Sequence, residues 1–231
     1  MNPLVFRFLE WHRRLGLRRM PGTILQWLAR REYFVLVRDL RLPLPKVPVD
    51  QTTVWTSLTE AEIPQLLAIN PVLSETEIRR RWKEGQECSL CWIEGSLAHY
   101  RWYATGSVYL SYLGKTLRLL EGECLIEDVF THPAFRRRGI QSVGSLTTLK
   151  HLQDRGFRRA IAIVARYNTP TLRVTQKMGY AVAGAIGYWN VALWKRYFIT
   201  GSVRLDGRAS MYVEHVAPES IPHRRAREAF H

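Results

Sequence analysis

Three arginines and a glycine, Arg136, Arg137, Arg138 and Gly139, separate a predicted strand from a predicted helix. Residues 125–130 predict the strand, which Pro133 ends. The helix is indicated by apolar residues at helical spacing before a terminating glycine at position 156, namely Ile140, Val143, Leu146, Leu149 and Leu152. The first N–H groups of a helix lack intrahelical acceptors and the helix dipole is positive there, so this junction can bind an anion such as a diphosphate. A solvated basic turn before an amphipathic helix is the alternative.

This junction differs from two common nucleotide-binding loops. Gly139 is not followed by the Gly-Lys-Ser/Thr step of a Walker A loop, and Gly139 and Gly144 lack the spacing of the dinucleotide-binding GxGxxG fingerprint. We therefore expect a phosphate-bearing ligand that binds without a magnesium site beside it.

The segments around the junction predict a mixed α/β domain from about residue 54. Upstream strands are predicted at residues 53–56, at 90–93 and 98–104 as a hairpin around Gly95, and at 108–112 and 116–120. Thr59 with Glu62, and Ser74 with Glu77, have the spacing of capping boxes, which predicts helices through residue 69 and over 78–82.

Downstream of the junction, the continuous apolar run 160–165 is typical of a strand buried on both faces. Asn168 can cap a second helix that has Pro170 in its first turn and runs to Met178 before Gly179. Residues 180–188 predict a further strand. The order is strand, basic loop, helix, strand, helix, strand.

The first 45 residues differ from this domain in charge. Ten bases against three acids through Lys46 place half of the net charge of +14 there. Apolar residues on one helical stripe predict a basic amphipathic helix, namely Leu4, Val5, Phe8, Trp11 and Leu15. This helix could lie on an anionic membrane or pack on its own domain. Residues 33–37 predict a short strand, and Pro43, Pro45 and Pro48 mark a linker.

The composition excludes several classes of protein. With 34 Lys and Arg against 20 Asp and Glu, the chain of 231 residues is expected to have an anionic partner. An apolar fraction of 46% excludes a disordered chain. No stretch approaches the roughly 20 apolar residues of a membrane-spanning helix. No aromatic-rich nucleic-acid motif accompanies the charge, so nucleic acid is not expected as the partner.

Cysteine and histidine spacing indicates no metal site. Cys88 and Cys91 have CxxC spacing, but Cys124 stands alone and no second pair completes a four-ligand zinc site. The seven histidines form no HExxH or other ligand cluster. We expect buried, inert thiols in a reducing cytoplasm.

The stretch 126–140, Ile-Glu-Asp-Val-Phe-Thr-His-Pro-Ala-Phe-Arg-Arg-Arg-Gly-Ile, resembles the coenzyme A-binding segment of the GNAT acyltransferase superfamily. The phosphate loop of that family reads Arg/Gln-x-x-Gly-x-Gly/Ala, and residues 136–141 occupy this pattern with Gln141 in the last place. Asn168 and the later Lys177-Met-Gly-Tyr180 resemble the family's Asn-led helix and closing Gly-aromatic step. The resemblance is specific over about residues 122–188, loose over 54–121, and absent from the first 45 residues and from the tail after about residue 201.

The resemblance implies an α/β fold. Its centre is a mixed, mostly antiparallel twisted sheet with splayed parallel strands flanked by helices, joined here to the N-terminal basic amphipathic helical extension. We expect three regions: residues 1–50 as extension and linker, 51–200 as the GNAT-like acyltransferase domain, and 201–231 as a C-terminal extension of unknown structure.

The resemblance also implies the site. Strand main-chain groups would bind the pantetheine arm, loop amides would cradle the pyrophosphate, and an asparagine would position the arm. The implied cofactor-binding residues are Val129, Phe130, Thr131, Arg136, Arg137, Arg138, Gly139, Ile140, Gln141, Ser142 and Asn168. The co-substrate would be acetyl-CoA or another acyl-CoA, with no metal.

Glu127 matches the family's acidic residue that takes a proton from the acceptor amine, in many members through water. Because an amine attacks only when neutral, such a base is chemically reasonable. Strand alternation should put Glu127 and Asp128 on opposite faces, so we expect only one to face the acceptor. Pairing of either carboxylate with an arginine is the alternative.

The sequence departs from the family pattern at two positions. Gln141 replaces a small residue beside the phosphates, where its amide could donate to them or crowd them. Thr175 stands where the family often has a general-acid tyrosine, and a threonine hydroxyl is a poor proton donor. Tyr167, Tyr180 or water could substitute, so no general acid is assigned.

The function implied is acetyl transfer from acetyl-CoA to a primary amine of unknown identity by direct attack. The alternatives are a long-chain N-acyltransferase using acyl-CoA or acyl carrier protein at a membrane surface, and a noncatalytic acyl-CoA-binding module. The acceptor would be a small-molecule or peptide amine. The N-terminal helix could contact an anionic membrane surface or an acyl carrier protein, giving a cytoplasmic protein or one peripheral on the inner face of a membrane. Aromatic residues could line the acceptor pocket or pack in the core, namely Trp82, Trp102, Tyr103, Tyr109 and Tyr112.

Overall fold

A computed structural model of the chain describes residues 30–47, 53–191, 194–207 and 210–214. Within these residues the strands are β1 Arg30–Asp39, β2 Val54–Ser57, β3 Glu87–Ile93, β4 Ser96–Ala104, β5 Ser107–Leu110, β6 Lys115–Arg118, β7 Glu123–Thr131, β8 Arg159–Ala165, β9 Ala181–Val191, β10 Trp194–Gly201, β11 Val203–Asp206 and β12 Ser210–Val213. The α-helices are α1 Ile63–Ile69, α2 Glu75–Lys83, α3 Ile140–Asp154 and α4 Thr169–Lys177. The predicted N-terminal amphipathic helix lies outside the described residues.

The described strands form an eight-stranded and a four-stranded sheet. The order of the larger sheet is β10-β9-β1-β8-β7-β4-β3-β2. Every neighbouring pair in it is antiparallel except β7 with β8, which are parallel. The expected mixed, mostly antiparallel sheet is confirmed.

The parallel strands β7 and β8 separate after a short stretch of pairing. Their register covers only Glu123 to Ile126 against Arg159 to Ala162. Farther along, β7 remains paired with β4 and β8 remains paired with β1. The splayed parallel strands are therefore present, and the β8-facing edge of residues 127–131 of β7 has no strand partner.

Strand β1 occupies the middle of the larger sheet. The sequence predicts only a short strand there, within an N-terminal extension, whereas the structure shows ten residues paired with β8 on one side and β9 on the other. Phe34 and Leu36 are buried in one core cluster, while Tyr33 and Val35 are buried in the other. A strand that is apolar on both faces is typical of a central position.

The larger sheet has a layer on each face. Helices α3 and α4 cover one face, where Leu149 and Leu172 pack against β1 and β8. The other face carries α1 and α2 over β3 and β4, and the four-stranded sheet β11-β12-β6-β5 over β1, β8 and β9. Two of those four strands come from the predicted C-terminal extension, and β12 pairs in parallel with β6.

Local capping chemistry fixes where the helices begin. Thr59 and Glu62 form both bonds of a capping box before α1, as predicted. Ser74 caps α2 by accepting from the Glu77 amide at 3.2 Å, but the Glu77 side chain pairs with arginines instead of completing a box. None of the described helices is long and apolar enough to cross a membrane.

Candidate functional site

The loop before α3 is an open turn that exposes several backbone amides. Arg137 and Gly139 both have left-handed backbone angles, with φ of 66° and 74°. Ser142 and Val143 donate to the Gly139 carbonyl, at 2.9 and 3.1 Å. Among the described residues, the amides of 137–141 have no intramolecular acceptor. Such a turn at a helix N-terminus is typical of anion-binding sites.

Gly139 is required for its conformation, not for space. A Cβ atom at this position would meet nothing within 4 Å, but the positive φ strains any residue with a side chain. The neighbouring Ile140 is buried at 3% exposure and fixes the helix start in a small cluster with Cys91 and Ala98. The loop backbone is therefore held open toward solvent while its first helical side chain is anchored.

The strand side of the loop is fixed by hydrogen bonds to Thr131. The ring Nδ1 of His99 lies 2.8 Å from the Thr131 hydroxyl, and Arg136 Nε donates to the Thr131 carbonyl at 3.1 Å. Phe130 stacks on Tyr100, with ring centroids 5.6 Å apart. Of the predicted loop arginines, Arg136 is thus engaged by the strand, whereas Arg137 and Arg138 are exposed.

Gln141 joins the two helices beside the site. Its Nε2 donates to the Thr171 hydroxyl at 3.4 Å, in the first turn of α4. Asn168 caps that helix by accepting from the Thr171 amide, also at 3.4 Å. The side chain that replaces the family's small residue therefore points at the neighbouring helix, and the N-termini of α3 and α4 lie next to each other.

Glu127 and Asp128 lie on the same side of the sheet, contrary to the alternation predicted for them. One β4 residue stands opposite two β7 residues between the pairs Tyr100–Phe130 and Trp102–Glu127, and Asp128 has φ of 43°. This β-bulge adds one residue to β7 and cancels the alternation locally. Glu127 pairs with Trp102 on the α2 face, and Asp128 reaches that face through Arg81.

The two carboxylates differ in their partners. Asp128 forms an ion pair with Arg81 at 3.0 Å, and Arg81 also bonds Glu77 at 2.9 Å and lies over the Trp102 ring at 5.0 Å. Glu127 has no ion pair among the described residues. Burial raises the pKa of Glu127 to about 7, opposed by the nearby Arg81 charge and reinforced by Asp128. A carboxylate with this pKa can accept a proton near neutral pH.

Residues 55–180 match the model of the acetyltransferase (GNAT) family, which is more than half of the chain. The chain belongs to the acetyltransferase (GNAT) family. The loop before α3, the opened edge of β7 and the Asn168-capped helix lie within the matched GNAT region.

Solved structures of GNAT proteins are similar to the chain. A GNAT-family protein from Novosphingobium aromaticivorans matches with a TM-score of 0.50 at 15% identity, over 68% of this chain and 62% of that chain. A GCN5-related N-acetyltransferase from Kribbella flavida matches with a TM-score of 0.48 at 15% identity, over 72% of this chain and 62% of that one. The chain thus spans about three fifths of the length of each. No curated protein matches it.

The Thr175 hydroxyl is not free to donate a proton at the site of this GNAT domain. It is buried, and its hydroxyl donates to the Leu172 carbonyl within α4 at 2.9 Å. Tyr180 is also buried, and burial raises its pKa well above its usual range. Tyr167 is 58% exposed at the surface. Thr175 and Tyr180 therefore do not present a hydroxyl to the loop, and Tyr167 has an exposed ring next to Asn168.

The remaining predicted residues are mostly part of the core. Cys88, Cys91 and Cys124 are all buried, and burial raises the pKa of each thiol. Cys88 and Cys91 belong to different core clusters, so their CxxC spacing does not bring the thiols together. Among the described residues no group of three His, Cys, Asp or Glu side chains could hold a metal ion.

The predicted aromatic pocket is divided between core and surface. Trp102 and Tyr103 are buried on opposite faces of β4, and Tyr109 is 57% exposed. Trp102 pairs with Glu127, Trp82 packs against the same cluster as Trp102, and Tyr112 packs against the cluster under the four-stranded sheet. The sequence reasoning missed Arg81 and Arg101, although a charged residue within the apolar strand β4 is itself a signal, because a buried charge requires a compensating function or partner.

Proposed function

We propose that this GNAT domain transfers an acetyl group from acetyl-CoA to a primary amine by direct attack. The observation that carries the proposal is the opened edge of β7, which runs from Glu127 directly into a loop of free amides. One end of this edge offers a base and the other offers an anion site.

The donor would be held by backbone groups. The amides of 137–141 and the α3 dipole would bind the diphosphate, assisted by the exposed Arg137 and Arg138. Free main-chain groups of Val129 to Thr131 would pair with the amide groups of the pantetheine arm. Asn168 and Gln141 hold the two helix N-termini that flank this path.

The geometry separates donor from acceptor. The loop and α3 lie on one face of the sheet, whereas Glu127 lies on the face of α1, α2 and Trp102. A pantetheine arm that passes between β7 and β8 would present its thioester to the second face. The acceptor amine would then approach from the α2 side.

The reaction needs one base. Glu127, directly or through water, removes the proton of the ammonium acceptor, and the neutral nitrogen forms a bond to the thioester carbonyl carbon. The carbon–sulfur bond then breaks and coenzyme A leaves as a thiolate, while the nitrogen loses its second proton to solvent and the thiolate takes a proton from solvent, which gives the neutral amide and the free thiol. Strand amides of β7 can stabilise the oxyanion that forms in between. Solvent supplies this last proton because Thr175 is engaged within α4.

A second function is favoured by the same threonine. A domain that binds acyl-CoA without transferring the acyl group would need the loop but no general acid, and the residue at the family's usual general-acid position, Thr175, is engaged within α4. Mass spectrometry of acyl-CoA that copurifies with the protein would identify the acyl chain and distinguish acetyl from a long-chain donor. For the N-terminal segment, an anionic membrane surface or an acyl carrier protein is still predicted as a further partner.

The proposal is tested by a matched pair of glycine substitutions at the two ends of α3. Gly139→Val and Gly156→Val both place a β-branched residue at positive φ, and in both cases the new Cβ has open space within 4 Å. The backbone strain, roughly 1–2 kcal/mol, is therefore similar in the two variants. We expect calorimetry to show tight coenzyme A binding by wild type and Gly156→Val, and at least tenfold weaker binding by Gly139→Val.

Thiol release from acetyl-CoA with a panel of amines completes the test. Amine-dependent release supports transfer, and coenzyme A binding without release to any amine supports the binding module. Equal coenzyme A affinity of the two glycine variants would contradict the assigned loop.

A further inference from the structure

Arg101 is a buried cation directly beneath the loop. It lies in the middle of β4 at 1% exposure, on the face covered by α3, and is the single β4 residue opposite the β7 bulge. Its Nη2 donates to the Ser145 hydroxyl at 3.1 Å and to the Gln141 carbonyl at 3.4 Å, in the first two turns of α3. Both contacts are within a few residues of the free amides.

No carboxylate neutralises this charge among the described residues. The ion pairs include none to Arg101, and its Nε has no hydrogen-bond partner. By contrast, Arg159 is also buried, and it pairs with Glu123 at 2.8 Å. Burial lowers the pKa of Arg101 to about 10, so its guanidinium is still charged at neutral pH. Burying an unpaired charge is costly, and such a charge in a fold needs an explanation.

The helix is shaped to approach this arginine closely. Gly144 faces the strand, and a Cβ there would lie 3.4 Å from Arg101 Nη2, 3.1 Å from His99 Nε2 and 2.5 Å from Trp55. His99, two residues before Arg101 on the same strand, binds Thr131 at the start of the loop. Neighbouring β4 side chains therefore fix both ends of the loop, His99 at the strand and Arg101 at the helix. Burial holds the pKa of His99 well below its usual range, so Arg101 is the charged member of the pair.

We propose that Arg101 is a positioning residue for the donor, a buried cation that becomes paired electrostatically when the diphosphate of coenzyme A binds to the loop above it. It orders the first turns of α3 through Gln141 and Ser145 and adds positive potential behind the amides. The inference rests on the proposed function, since it requires the loop to bind a diphosphate. It predicts that Arg101 destabilises the free protein and strengthens donor binding.

The test uses variants that separate charge from packing. Arg101→Gln removes the charge but keeps a donor toward Ser145, Arg101→Lys keeps the charge, and Arg101→Met keeps only the apolar volume. Arg38→Met is the control, because Arg38 is also buried at 6% but donates to the carbonyls of Gly179 and Leu42, away from the loop. Each variant is examined for its affinity for coenzyme A and for the melting temperature of the free protein.

We expect Arg101→Gln and Arg101→Met to bind coenzyme A at least tenfold more weakly, with melting temperatures equal to or above that of wild type, because replacing a buried unpaired charge is often neutral or stabilising. Arg101→Lys should keep its affinity within about threefold, since it retains the charge near the loop. Arg38→Met should bind like wild type.

Three results would overturn the proposal. If wild type and Arg101→Gln bind coenzyme A equally well, Arg101 has no role in donor binding and the proposed function stands. If Arg101→Lys loses as much affinity as Arg101→Gln and both melt lower than wild type, the residue is only structural. If wild type does not bind coenzyme A, the proposed function fails together with this inference.

Discussion

Glu127 and Asp128 are neighbours in the chain, but they differ in their ion-pair partners. Asp128 is held by Arg81, whereas Glu127 lies half-buried against Trp102 without an ion pair among the described residues. Burial of an unpaired carboxyl favours its neutral form, which is why the pKa of Glu127 rises to about 7 while it stays within reach of solvent. Glu127 can therefore gain and lose a proton near neutral pH.

This difference predicts the pH dependence of transfer. A base works in its deprotonated form, so kcat/KM should rise with pH through about 7 and fall away below it. Glu127→Gln should lower the rate by roughly 10²–10⁴-fold and remove this ionisation, leaving only that of the acceptor amine. Glu121→Gln, at an exposed position in the turn before β7, is the control and should retain the wild-type profile. A wild-type profile in Glu127→Gln would exclude the residue as the base.

At the scale of elements, α2 and the β7 bulge are joined by one ion pair. Arg81 lies over Trp102, bonds Glu77 in its own helix and reaches Asp128 on the strand. The strained left-handed residue at the bulge is thus tied to a helix that otherwise contacts the sheet through apolar side chains. The same charges act on Glu127 from opposite directions, since Arg81 lowers its pKa and Asp128 raises it.

The two halves of this ion pair should therefore shift the pH profile in opposite directions. Arg81→Met removes a cation, so the rising limb should move to higher pH by roughly one unit, and Asp128→Asn removes an anion, so the limb should move to lower pH. Asparagine tolerates the left-handed conformation at position 128. Arg79→Met, on the exposed face of α2, is the matched control and should leave the limb in place. Shifts in the same direction for both variants would indicate a structural effect instead of an electrostatic one.

Elements with local signals could be predicted from the sequence, and those set by distant pairing could not. The Thr59–Glu62 box, the Asn168 cap and the Arg-Arg-Arg-Gly turn are encoded within a few residues, and the structure shows each of them. The bulge at Asp128 depends on the register with β4, which a two-residue alternation cannot reveal. A charge within the apolar segment 97–104 marks Arg101 in the sequence, but its position beneath the loop follows only from the placement of β4 under α3.

At the scale of the whole molecule, the sheet extends beyond the segment that matches the family. The matched residues 55–180 contain β2 to β8, while β1 comes from before them and β9 and β10 come from after them. Strand β1 pairs with the edge of β8 that faces away from β7 and continues that pairing beyond residue 162, where β7 has separated, so it supports one wall of the splay. The four-stranded sheet likewise joins an early hairpin, β5 and β6, to the C-terminal strands.

The position of β1 predicts that residues 30–39 unfold together with the domain that follows them. Leu36 is fully buried between the sheet and α3, so Leu36→Ala should lower the free energy of unfolding by about 2–5 kcal/mol. Leu42, six residues after Leu36 and 48% exposed, is the control. Leu42→Ala should lower the free energy of unfolding by less than about 1 kcal/mol. Urea denaturation followed by tryptophan fluorescence and circular dichroism would measure both.

One cooperative transition, shifted to lower urea in Leu36→Ala, means that the strand is part of the domain core. A separate early transition in that variant, with the main one unmoved, would mean that residues 30–39 form an independent extension and that the wall of the splay is built without them.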